Sequence, residues 1–190
     1  MDGYHVALVI HLLTLVAAGS VSAIVHLAES RGSRAATIGE AVPWHRIAGA
    51  AAKFFPIIIV LLFASGSYMV TAGGSWSWST GWIDAGIVAC VLLLGVGGYI
   101  GTRARRAGLE LKQLASQPGG AGAAPPAHDP LIPTLSWANT GLAMSVVVVM
   151  TLKPTLTDSL GTLVAGMAIG IAYSLTRSRS TAVSGETAAG

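Results

Sequence analysis

Three histidines mark the stretch from Tyr4 to Ala28: His5, His11 and His26, on a segment otherwise almost wholly apolar. Ionisable side chains inside such a run are rare, and they face a bundle interior, a cavity or a cofactor. His11 lies about two turns inside the apolar run. Three chemistries are open to it there: an interhelical hydrogen bond, axial ligation of haem iron, or a place in a proton relay. The other apolar segments hold no histidine in their cores. A second axial ligand would have to be Met69, Met144, Met150 or Met167, a group from another subunit, or an open position. Met stripes are more often packing than ligands.

His26 follows His11 by fifteen residues, about 22 Å along a helix axis, so the two cannot share one mononuclear site. His26 has its own neighbours. Glu29 is three residues on, on the same helical face, and the chain returns through Glu40 to His45. His26, Glu29 and His45, with Glu40, form a candidate mixed nitrogen and oxygen metal site or a proton-exchange cluster. The competing reading is a hydrated interfacial network with Arg31, Arg34 and Arg46. No strict ligand motif is present.

The elements that must position these residues are membrane helices. Of 190 residues, 53% are hydrophobic and 10% charged, against roughly 25% charged in soluble domains. Mean hydropathy is +0.67. The expected class is all-α, a polytopic transmembrane helical bundle with five spans at about 4–28, 47–72, 82–102, 135–152 and 160–176. Val21-Ser22-Ala23 resembles a signal-peptide cleavage site, but MDGYH lacks Lys and Arg and the apolar run continues, so the first helix is expected to stay.

Charge placement tests the count. Of the eleven basic residues, Arg31, Arg34, Arg46, Lys53, Arg103, Arg105, Arg106, Lys112, Arg177 and Arg179 fall on one side and only Lys153 on the other. The positive-inside rule then puts the N-terminus outside and the C-terminus in the cytoplasm. Tyr4, Tyr68, Trp76, Trp78 and Trp82 form an outer aromatic belt; Trp44, Tyr99, Trp137 and Tyr173 lie near the inner interface. Pro56 is expected to kink the second span.

Residues 1–117 read as a three-span unit whose third helix extends into the cytoplasm. Arg103, Arg105 and Arg106 on that extension suit anionic headgroups, at roughly 1 kcal/mol per residue. Residues 118–134 read as a flexible Gly/Ala/Pro linker in which His128 is solvated, 135–179 as a C-terminal hairpin, and 180–190 as a disordered tail. Small residues four apart, Gly97 with Gly101 and Thr162, Gly166, Gly170 and Ser174, allow close helix approach, within one chain or in a homo-oligomer. Ala138 with Leu142 and Gly141 with Ser145 do so less clearly.

A His in the outer half of a first span is followed by a basic loop and by a second span with a Pro and a late small-polar turn, FPIIIVLLFASGSYMV. After it come a Trp/Gly loop, GWID and a Gly-ended third span. Over about residues 5 to 115 this resembles small bacterial integral-membrane families related to copper-resistance protein D and the HemJ-like proteins. The resemblance implies the bacterial inner membrane and, where haem is bound, a first-span His as its contact; only His11 maps onto that position. Ala18-Gly19 stands here where those families carry Trp-Gly, and the group generally has four spans.

Three functions follow: a haem-associated (haem b) or redox-linked protein using His11, a metal or small-solute transporter or channel using His26, Glu29 and His45, or a non-catalytic subunit packing on a membrane partner through its small-residue helix faces. No catalytic residue set is expected, because no carboxylate pair lies inside the spans and no Ser/His/Asp set converges. GVGGYIG (95–101) ends a membrane helix and is no phosphate loop. A basic cluster beside a span, without interleaved aromatic platforms, excludes nucleic acid. Cys90, alone, excludes an internal disulfide.

Overall fold

The computed structural model describes residues 2–73, 76–126 and 129–187, with side chains through Arg177. Among the described residues all regular elements are helical: α1 (Gly3–Gly32), α2 (Ile38–Ala52), α3 (Phe55–Ala72), α4 (Gly81–Ala115), α5 (Leu131–Leu152) and α6 (Leu156–Thr187), with one 3-10 turn at Gly120–Gly122. Five stretches among the described residues are long and apolar enough to cross a membrane: α1, α2 with α3, α4, α5 and Leu156–Arg177 of α6. Leu13, Val16, Val60, Val91, Val164 and Ile169 are each more than 60% exposed. Side chains of that size turned outward along every span suit lipid as the solvent.

Packing divides the chain into two units. The first comprises Met1–Trp78 and Gly98–His128, the second Ser79–Gly97 and Asp129–Gly190. The boundary thus falls inside α4, whereas the sequence suggested the linker.

In the first unit, Asp2 caps α1 by accepting the His5 amide at 3.0 Å. α1 packs on both α2 and α3. One end of the α1–α3 contact is drawn close by glycine, since a Cβ at Gly3 would collide with the Tyr68 hydroxyl. The expected second span is interrupted rather than merely kinked. Pro56 has no amide hydrogen and its ring crowds the carbonyl four residues back, so α2 stops at Ala52 and α3 restarts at Phe55 with Pro56 in its first turn. Thr37 caps α2, accepting from the Glu40 amide at 3.3 Å.

The segment expected to be a flexible linker is docked in its first half. Gly119 adopts a left-handed φ of 76°, the 3-10 turn packs on α2, and the Ile38 amide donates to the Ala123 carbonyl at 2.9 Å. That bond satisfies an orphan donor at the start of α2. His128 lies outside the described residues. Of the expected disordered tail, the described backbone continues α6 to Thr187, and residues 188–190 lie outside the described residues.

In the second unit α5 and α6 form a tight hairpin. Lys153 closes α5 at a left-handed φ of 49°, and α6 starts three residues later. A Cβ at Gly141 would strike the Gly166 carbonyl, and one at Gly170 the Trp137 carbonyl, so backbone meets backbone there. Leu142, Val149 and Ser159 are fully buried around that seam. Gly81 abuts Leu156 and Gly86 the tip of Met150, which is how the first half of α4 joins this unit.

Candidate functional site

The sequence-derived residues fall at separate places. His5 pairs with the Asp2 carboxylate in the first turn of α1. Hydrogen bonds from the His5 amide and then the His5 ring hold the Asp2 carboxyl below the usual carboxylate range.

His26 Nδ1 stands 3.7 Å from the Glu29 carboxylate, with both side chains largely covered. The His45 ring lies against Gly32, the last residue of α1. Glu40 is occupied elsewhere, accepting the Ala36 amide at 3.0 Å and completing the cap of α2. Among the described residues no three His, Cys, Asp or Glu side chains gather so as to hold a metal ion.

The small-residue positions of α6 serve its own hairpin. Gly166 and Gly170 face α5, and Ser174 Oγ meets Thr134 Oγ1 at 3.3 Å. The opposing face is the row Ala138, Gly141, Leu142, Ser145 and Val149 of α5. Arg103, one of the expected headgroup contacts, donates from Nε to the Tyr99 hydroxyl at 3.2 Å, and Arg105 and Arg106 are exposed. Trp82 departs from the expected outer belt. It is buried, with Lys153 Nζ 5.8 Å from its ring centre.

His11 remains, and it is where polar chemistry enters the apolar part of the first unit. Its ring is half-buried between α1 and α3, and Nδ1 lies 2.9 Å from Ser65 Oγ. Ser65 is 7% exposed. Its hydroxyl also stands 2.6 Å from the Leu61 carbonyl and 3.2 Å from that of Leu62. The ring also lies against Gly66, where a Cβ would meet Cε1 at 3.6 Å, an ordinary van der Waals contact. One turn along α1, buried Thr14 donates to the Ile10 carbonyl at 2.7 Å and so closes its own polarity.

No family model, curated protein or solved structure matches this chain. The site stands on its geometry.

An open apolar groove of about 450 Å³ runs beside this contact, lined by Val6, Ala7 and Ile10 of α1 and Leu61, Ala64 and Ser65 of α3. Ser65 is the site residue that sequence reasoning passed over as part of a small-polar turn. A signal was present. His11 lies eight residues after the start of α1 and Ser65 seven before the end of α3, so an antiparallel pair sets them at one depth.

Proposed function

We propose that this protein is a five-span component of the bacterial cytoplasmic membrane, N-terminus outside and C-terminus inside, that holds haem b through His11 and serves a redox-linked role. One observation carries the reading. A histidine inside an apolar span is held between two helices by a hydrogen bond that joins Nδ1 to Ser65 Oγ at 2.9 Å.

The donor chemistry suits the group. A neutral imidazole whose other nitrogen is held by a hydrogen bond, in an apolar setting, is a usual ligand of haem iron. Bound haem would supply one-electron transfer. The chain's own residues would do the rest: His11 would provide the nitrogen and Ser65 would hold the ring, beside the apolar groove between α1 and α3. The orientation is supported by the ten basic residues that fall on one side of the spans, and exposed Arg105 and Arg106 favour anionic headgroups there.

The test is an absorption spectrum of full-length protein from haem-replete cells, with haem content measured by extraction. Near-stoichiometric haem in wild type, falling at least about tenfold in His11→Ala, is the expected result. Colourless wild-type protein would overturn it.

A further inference from the structure

We propose that Ser65 sets the tautomer of His11, placing the ring proton on Nδ1 and presenting the Nε2 lone pair as the ligating face. The haem reading above supplies only the identity of the ligand; the tautomer is a property of the chain.

The assignment comes from counting protons. The Ser65 hydroxyl has one hydrogen, and three groups approach its oxygen: the Leu61 carbonyl at 2.6 Å, the Leu62 carbonyl at 3.2 Å and His11 Nδ1 at 2.9 Å. Carbonyl oxygens only accept. Were the serine proton given to Nδ1, two oxygens would face each other across 2.6 Å with no hydrogen between them. The proton therefore goes to Leu61, the back-bond of a helical serine. Ser65 Oγ then has lone pairs only for the ring, so Nδ1 must bring the hydrogen. In a neutral imidazole that leaves Nε2 bare.

A histidine free in water favours the opposite tautomer, so the serine does work here. Removing one neutral hydrogen bond should change the tautomer ratio about three- to tenfold. Ser65 touches the ring and not the ligand, which makes it a positioning residue.

Nitrogen-15 NMR of histidine-labelled, haem-free full-length protein in lipid nanodiscs reads this directly, with His11 assigned by its loss in His11→Gln. The expected wild-type spectrum has Nδ1 protonated and Nε2 unprotonated. Ser65→Ala should shift the ratio towards Nε2–H while the signals of His26 and His45 stay in place, and Ser65→Thr, which keeps the hydroxyl, should retain the wild-type form. An Nε2–H ring in wild type would overturn the proposal, as would an unchanged ratio in Ser65→Ala. A Thr variant that behaves like Ala would also overturn it, by tracing the effect to packing. The two readings fail separately. Colourless protein with Nδ1–H at His11 removes haem and leaves the tautomer standing, whereas haem-binding protein with Nε2–H does the reverse.

Discussion

The hydrogen bonds of Ser65 and Asp2 show how far a single polar atom can direct its neighbours in this chain. At the N-terminal end of α1 the Asp2 carboxylate takes the His5 amide and ring. Its folded pKa lies below the ordinary 3.8, so the cap is fully in place above that value and is lost as pH falls through the lower, folded value. The His5 amide shift should therefore titrate with a midpoint under 3.8, and Asp2→Asn should abolish that titration. A midpoint at or above 3.8 would contradict the cap. Mid-span, the sequence singled out His11 because imidazole is conspicuous among Leu and Val. It did not single out Ser65, because serine often hides its hydroxyl on its own helix, as Thr14 does here. Only the pairing of α1 with α3 distinguishes the two cases. The cluster of His26, Glu29, Glu40 and His45 was legible as four residues at one end of two helices. Which of them meet was not, since Glu40 is taken by the α2 cap, a local demand that helical spacing does not reveal.

Among the elements, long apolar runs gave the spans directly, and glycine decided the finer outcomes. The α5–α6 seam needs glycine where backbones touch. Gly141→Leu should weaken the hairpin by about 1–3 kcal/mol, read as an earlier midpoint in denaturing-detergent unfolding. An unchanged midpoint would mean that the seam is not the main contact. The α6 stripe was visible at four-residue spacing, while its α5 counterpart mixes Ala, Gly, Leu and Ser and gives a weaker signal. Residues 118–126 illustrate the opposite failure. Gly/Ala/Pro composition suggests free chain, yet the turn is set by the left-handed Gly119 and by Gly120, where a side chain would strike the Leu114 carbonyl. Gly120→Val should release this segment from α2 and make it newly sensitive to added protease, while wild type resists. The break at Lys53–Phe54 follows from Pro56; the spacing placed the proline correctly and underestimated its effect.

For the molecule as a whole, composition alone decides the solvent. With 53% hydrophobic residues and 10% charged, and with five stretches among the described residues long and apolar enough to cross a membrane, lipid suits this chain as its solvent. Orientation is a matter of charge count, and it can be measured. Single cysteines introduced at Asp2 and at Arg179 in a Cys90→Ser background should label from opposite sides of intact cells with an impermeant maleimide, Asp2 from outside. Labelling of Arg179→Cys from outside would reverse the topology. Replacing Arg103, Arg105 and Arg106 by Gln should lower preference for anionic vesicles by roughly 1 kcal/mol per residue at low salt, with Arg103 contributing least because Tyr99 already engages it. The measurement nearest the central claim is a reduced-minus-oxidised spectrum of the protein in mild detergent, beside His11→Ala and, as a control, His26→Ala. Soret and α-band features in wild type and His26→Ala, absent from His11→Ala, are expected. Bands that survive in His11→Ala, or a wild type without them, would contradict His11 as the haem ligand.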